Sequence, residues 1–204
     1  MRHFVYFSQK ARTTGNFGDD LMKAGRMDIA CNIVIMSFFI SNQMRKNVKL
    51  HMIFNGPPDA PKHLELFPGK KLYPDDSEEE RDISKKDVAG LIKKLLYKYK
   101  PGIKNEVMPG YYVEKKSFID VINELGDAGS TIYLLDKKGE DIRTVEIGEN
   151  PVFVLGDHEG IPKFEMKRLL KKVKIQKVSV GNTMYFASQA LTIVQNELDR
   201  RGIE

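Results

Sequence analysis

The sequence predicts an α/β fold built on a mostly parallel sheet. Short apolar runs of strand type alternate with amphipathic helical stretches along the whole chain, which is the pattern of βαβ units. Two late runs, PVFVLG and VKIQKVSVG, are of buried strand type, and each runs into a glycine and then a helix. Strand, glycine turn and helix, used twice within residues 150–199, is how an open sheet builds a small-molecule site from backbone amides. No internal repeat or low-complexity linker interrupts the pattern, so residues 1–204 read as a single domain.

Each element carries a local signal. RHFVYFS (2–8) is a compact apolar run and opens the first βαβ unit. QKARTTGNFG (9–18) follows as either a flexible surface loop or a polar lid, since sites in open sheets lie beyond the strands' carboxyl ends. From Met27 onward, Ile29, Ala30, Ile33, Val34, Met36, Phe38 and Ile40 fit a largely buried helix. Asp28 stands at its N-terminal end, with Arg26 just outside. VKLHMIF (48–54) is the second strand, stopped by Asn55-Gly56-Pro57-Pro58. HLELFPGKKLY (63–73) reads as a hairpin with arms around Pro68-Gly69, and DDSEEERD (75–82) as a solvated acidic loop.

Ser84 caps the next helix, which sets Val88, Leu91, Ile92, Leu95 and Leu96 on one face and lysines on the other. Pro101-Gly102 ends it, and Pro109-Gly110 turns into a short strand. Ser117 caps a helix that stops at Gly126. TIYLL (131–135) is a buried strand, Asp136 to Gly139 a turn, and DIRTVEI (141–147) an alternating strand suited to an edge or a hairpin. A basic helix starts at Lys163, and Asn182 or Thr183 caps the last helix.

Composition narrows the function classes. The net charge of +5 favours an anionic partner, although a merely basic protein has the same balance. Cys31 is the single cysteine, which excludes an internal disulfide framework and a thiolate zinc site. His3, His51, His63 and His158 show no HxxxH or HExxH spacing, so no metal is expected. The apolar stretch from Ile29 to Ile40 is interrupted and too short to span a bilayer. With no secretory signal pattern, a cytoplasmic protein without a membrane partner is expected.

Motifs for a dinucleotide fold, a phosphate-binding P-loop and a nucleophile elbow are absent. The two glycine turns remain. In LGDHEGIP, Gly156 and Gly160 flank Asp157, His158 and Glu159. Glycines there let a ligand approach the backbone, although the acids could equally cap the following helix. Lys163, Lys167, Arg168, Lys171, Lys172 and Lys174 form a dense basic band beyond the turn. SVGNTMYFASQAL sets Gly181 before Ala187, Ser188 and Ala190, small residues that permit close packing on a ligand or on another backbone.

Together these turns resemble the carboxyl-terminal half of the SPOUT superfamily of RNA methyltransferases. Upstream, AGRMDIACNIV (24–34) resembles the Arg-x-Asp segment of the pseudouridine N1-methyltransferases. Over its full length the chain looks most like the archaeal tRNA pseudouridine-54 group of that superfamily. The resemblance implies a carboxyl-terminal trefoil knot, with knot and pocket over about residues 130–204, and a homodimer whose interface uses the last helix. It implies S-adenosyl-L-methionine as methyl donor. The donor would be held by Leu134, Leu135, Gly156, Asp157, His158, Gly160, Ser179, Val180, Gly181, Asn182, Thr183, Met184, Tyr185 and Ser188.

The implied reaction is methylation of pseudouridine N1 in the T-loop of tRNA, with the T-arm as partner. Asp28 would hold or deprotonate the base, and Arg26 would grip a phosphate or base oxygen; a helix-end ion pair is the plainer reading of the same two residues. Arg12 and the lysine band would meet RNA phosphates. Ala187, Ser188 and Ala190 stand where some relatives carry a cysteine, which argues against a covalent intermediate. A ribosomal RNA pseudouridine methyltransferase and a non-catalytic RNA-binding assembly factor remain open as alternatives.

Overall fold

The structure is a computed structural model that describes residues 1–41, 43–70 and 84–204. Its strands are β1 (Arg2–Ser8), β2 (Phe39–Ile40), β3 (Gln43–Met44), β4 (Val48–Phe54), β5 (Lys62–Leu66), β6 (Asn105–Met108), β7 (Tyr111–Glu114), β8 (Ile132–Asp141), β9 (Val152–Gly156) and β10 (Ile175–Ser179). Its helices are α1 (Met27–Phe38), α2 (Lys85–Tyr97), α3 (Phe118–Asp127), α4 (Lys163–Lys172) and α5 (Ala187–Arg200). An eight-stranded sheet runs in the order β10-β8-β9-β1-β4-β5-β7-β6, with β2 and β3 paired apart from it. The strands from β10 to β4 are mutually parallel, and β5, β7 and β6 continue the sheet antiparallel. From β9 the chain passes β8 to reach the edge strand β10.

Alternation along the strands builds two cores. Phe4 and Tyr6 of β1 join α1, α2 and α5 on one face; Val5 and Phe7 join Phe118, Ile122 and Leu169 of α3 and α4 on the other. The helices start where capping chemistry dictates. Ser84 Oγ accepts from Asp87 N while Asp87 Oδ2 accepts from Ser84 N, and Ser117 Oγ accepts from Asp120 N. At the bottom of the sheet the buried Arg2 ties β1 to the C terminus. It donates to Gln195 Oε1 at 2.9 Å, Asp199 Oδ1 at 2.7 Å and the Ile203 carbonyl at 2.7 Å. No helix among the described residues is long and apolar enough to cross a membrane.

Several expectations change. DKKG and DIRTVEI are not a turn and a strand: β8 runs on to Asp141, and a turn follows. Pairing with β10 carries the strand through Gly139, where a Cβ would stand 2.5 Å from Val178 N. Asp141 Oδ1 then accepts from Arg143 N and closes the turn, so Ile142 and Val145 reach the core from a turn rather than a strand. VKIQKVSVG is an edge strand in which only Val178 and Ser179 are buried. HLEL belongs to β5, held between β4 and β7, with a short 3-10 turn at Pro68–Lys70. The second hairpin arm at 71–73 and the acidic run at 75–82 lie outside the described residues. The last helix starts at Ala187, not after Asn182 or Thr183, and Phe186 N at its start donates to Gln189 Oε1.

Candidate active site

A cleft of about 190 Å³ opens at the carboxyl ends of β9 and β10, against the first turn of α5. Its walls hold ten of the residues singled out for the donor: Leu135, Gly156, Asp157, Gly160, Ser179, Val180, Gly181, Thr183, Met184 and Tyr185. Leu134 is not among them. Successive strand residues point to opposite faces, and Leu134 packs into the α3–α4 core while Leu135 faces the cleft. His158, Asn182 and Ser188 are also outside the lining. Residues not singled out for the pocket complete it: Asp136, Lys137, Leu155, Val178, Ala187 and Ala190. Strand parity points to Lys137 from Leu135, and the small residues at the start of α5 point to Ala187 and Ala190.

The LGDHEG turn is held by its aspartate. Asp157 Oδ2 accepts from Ser8 Oγ at 2.9 Å and Gln9 N at 3.2 Å, and Oδ1 accepts from Glu159 N at 2.9 Å. The buried carboxylate therefore joins the end of β1 to the end of β9, and an ion pair between Lys10 and Glu159 spans the same gap. At Gly156 a Cβ would stand 2.7 Å from the Gly160 carbonyl carbon, so the turn closes only around glycine. His158 is partly exposed, with Nδ1 3.9 Å from Asp157 Oδ1.

Arg26 and Asp28 sit at the start of α1. Gly25 and Arg26 are both left-handed, with φ of 74° and 63°. A Cβ on Gly25 would collide with the Lys10 carbonyl, so the loop after β1 is packed onto this bend. A left-handed arginine is uncommon and costs energy. The bend brings the guanidinium onto its neighbour: Arg26 Nε and Nη2 each donate to Asp28 at 3.0 Å. The Arg26 hydrogen bonds hold the Asp28 carboxyl below the usual carboxylate range, and Asp28 raises the guanidinium in turn. Neither residue lines the cleft. The buried Tyr6 phenol is pushed up by burial first, then by the charge of Asp157, and a smaller push from Asp28 adds to it while Arg26 opposes.

A second titratable cluster lies at the opposite end of the sheet. His3 Nδ1 meets His51 Nε2 at 3.2 Å, His51 Nδ1 meets His63 Nε2 at 3.0 Å, and His63 Nδ1 meets Glu114 Oε1 at 3.0 Å. The ring centroids are 5.5 and 5.2 Å apart and the rings are tilted by only 12° and 14°. Those separations are the N···N distances plus two ring radii, so the rings lie edge to edge in one line. Since Glu114 accepts, each neutral ring carries its proton on Nδ1 and hands it toward Glu114. His51, His63 and Glu65 could bring ligand atoms within 4.8 Å. The nitrogens nevertheless face each other across one proton rather than converging on a centre, and Glu65 Oε2 takes Lys104 Nζ at 2.6 Å. The arrangement is a hydrogen-bonded chain, not a chelate. Sequence spacing could not reveal it, because strand pairing across β1, β4, β5 and β7 assembles it.

A mostly parallel sheet with a backbone-lined cleft at its carboxyl ends is the frame of a cofactor-using α/β enzyme. The chain belongs to the SAM-dependent RNA methyltransferase family, which residues 1–203 match. Similar full-length proteins include the tRNA (pseudouridine(54)-N(1))-methyltransferases of Pyrococcus abyssi, 37% identical over 100% of both chains. Those of Methanococcoides burtonii (34%, 98% of this chain and 96% of that one) and Methanocaldococcus jannaschii (32%, 100% and 98%) carry the same name. Among solved structures, Archaeoglobus fulgidus Nep1 bound to S-adenosylhomocysteine covers 98% of this chain and 97% of its own with a TM-score of 0.58. At 12% identity that likeness is one of fold alone.

Proposed function

We propose that this chain transfers a methyl group from S-adenosyl-L-methionine to N1 of pseudouridine 54 in the T-loop of tRNA. The observation that carries the reading is likeness over essentially the full length to proteins of that name, at 32–37% identity. The cleft suits such a donor. Leu135, Leu155, Val178 and Val180 offer an apolar wall for a base, and Gly156, Gly160 and Gly181 expose backbone amides and carbonyls. S-adenosylmethionine, when bound, supplies a methyl already activated on a sulfonium.

The protein's own part is alignment and management of one proton. Arg26 turns from Asp28 to a phosphate or base oxygen of the RNA. Asp28 accepts the N1–H as the new N–C bond forms, and passes the proton to water. Held low by Arg26, the carboxylate is a weak base until that pair opens. Arg12 and the α4 lysines, with Lys174, meet RNA phosphates, which set affinity rather than choice of base. The cleft segment forms a trefoil knot, and a second copy docks along α5. Exposed Met184 (78%) and Phe186 (74%) beside its first turn suit such an apolar interface. The enzyme works in the cytoplasm, on tRNA.

The test is methyl transfer to T-loop hairpins that differ only in pseudouridine or uridine at the target. Transfer to pseudouridine alone is expected. Equal transfer to uridine would exclude N1, which uridine commits to its glycosidic bond, and absence of any transfer would exclude the reading.

A further inference from the structure

The loop after β1 joins the cleft to the far end of α2. At its start Gln9 N donates to Asp157 and Lys10 pairs with Glu159, both on the glycine turn. Further on, Gly15 lies against α2, where a Cβ would stand 2.5 Å from the Lys93 carbonyl oxygen and 2.5 Å from Cδ2 of the Tyr97 ring. Lys93 Nζ stands 5.0 Å from the centre of the Phe17 ring and 3.6 Å from Asp19. Gly15 is five positions beyond Lys10, so the two anchors are at most about 18 Å apart. The carboxyl end of α2 therefore shares the end of the sheet at which the cleft opens. Lys62, opposite Phe54 at the carboxyl end of β4, places its Nζ 4.0 Å from the Tyr99 ring centre and agrees with this.

This end is basic and aromatic. Residues 93–104 hold Lys93, Lys94, Lys98, Lys100 and Lys104 and no acidic residue. Asp19 takes Lys93 and Glu65 takes Lys104. Lys94, Lys98 and Lys100 are exposed, with no ion pair among the described residues. The helix dipole favours lysines at a carboxyl end, which accounts for the charge alone. It does not account for Tyr97, which is 63% exposed although one edge of its ring is braced on Gly15. Phe17 and Tyr99 each face a lysine, whereas no cation stands over Tyr97 among the described residues. Lys94, Tyr97 and Lys98 share one helical face.

We propose that this end of α2 is a second contact for the RNA substrate. Tyr97 stacks on an unpaired base of the loop that carries the target, and Lys94, Lys98 and Lys100 take phosphates beside it. A ring already braced loses little freedom on binding. α2 and α4 pack on opposite faces of the sheet, so lysines hold the RNA from both faces while the target base enters between them. The identity of the RNA rests on the methyltransferase reading; the stacking and phosphate contacts follow from the surface itself.

Fluorescence anisotropy of the full chain with the pseudouridine T-loop hairpin, read across a salt series, decides it. Tyr97→Ala should weaken binding at least about fivefold through the loss of one stacked base, with the salt slope unchanged. Tyr97→Phe should bind as the parent does. Lys98→Gln combined with Lys100→Gln should lower the slope by about 1.4, or about 0.7 for each phosphate contact. Lys46→Gln, exposed at the amino end of the sheet, should change neither quantity. Calorimetric affinity for S-adenosylmethionine should match the parent's in every variant. Inorganic polyphosphate has no base to stack, so Tyr97→Ala should bind it as tightly as the parent. Parental hairpin affinity in Tyr97→Ala, or an equal loss on polyphosphate, would overturn the stacking. A slope change in the lysine pair no greater than in Lys46→Gln would overturn the phosphate contact in favour of general charge. If the parent transfers no methyl group while these shifts appear, the function assigned above fails and the RNA contact stands.

Discussion

Lowering the pH from about 7.5 to about 5 should loosen the fold through the imidazole chain. Burial, then the ammonium groups of Lys49 and the N terminus, bring the His3 imidazole down to about 4 from 6.5, against an opposing pull from Glu65. His51 lies well below its ordinary value for the same first reason, with His63, His3, Lys49 and Lys104 adding to it. His63 is also lowered by burial, although Glu114 and Glu65 pull it up. Unfolded imidazoles take up protons near 6.5 and the folded ones refuse them. The contribution is therefore fully present above 6.5 and is lost as the pH falls toward 4. For His3 alone the interval from 6.5 to about 4 corresponds to about 3 kcal/mol. That is a large share of a typical stability of roughly 5–15 kcal/mol, and His51 and His63 add loss of the same sign. Urea unfolding at stepped pH is the assay, with His3→Gln as the comparison. The midpoint should fall at each step below about 6.5, and less steeply for His3→Gln. Ring-nitrogen NMR at neutral pH should find all three protons on Nδ1. A flat stability profile, or a His3→Gln slope equal to the parent's, would refute the reasoning.

Three further outcomes follow from the site. Gly156→Ala puts a methyl 2.7 Å from the Gly160 backbone, so the turn must open; S-adenosylmethionine affinity by calorimetry should fall at least about tenfold, and an unchanged value would misplace the pocket. Asp157→Ala strands donors from Ser8, Gln9 and Glu159, which should cost about 2–4 kcal/mol in thermal denaturation; a variant as stable as the parent would contradict that role. Asp28→Ala should lower turnover about a hundredfold or more with cofactor affinity intact, while stability changes by less than about 1 kcal/mol because the Arg26 pair is partly exposed. Full activity in that variant would remove Asp28 from the chemistry.

By itself the sequence determined the alternation of strands and helices, the capped starts at Ser84 and Ser117, and the two glycine turns that line the cleft. These are local properties, written in periodicity, caps and glycine. It misjudged residues 136–147, because alternation in DIRTVEI looks the same whether a strand or an aspartate-closed turn delivers Ile142 and Val145 to the core. It set Leu134 beside Leu135 at the donor site, whereas Leu135 and Lys137 line the cleft and Leu134 packs into the α3–α4 core, because facing is decided by which sheet surface meets which helix. Tertiary structure alone decided the rest. Asp157 was legible as a turn acid, but its role as the joint between β1 and β9 depends on Ser8 and Gln9, far away in the chain. The Tyr6 hydroxyl and the line from His3 to Glu114 leave no trace in spacing, since strand register and the packing of α1 on the sheet place them. Glycine turns can be read from a sequence because backbone geometry is local; which buried polar groups share a proton cannot, because pairing across a sheet joins residues that the chain keeps apart.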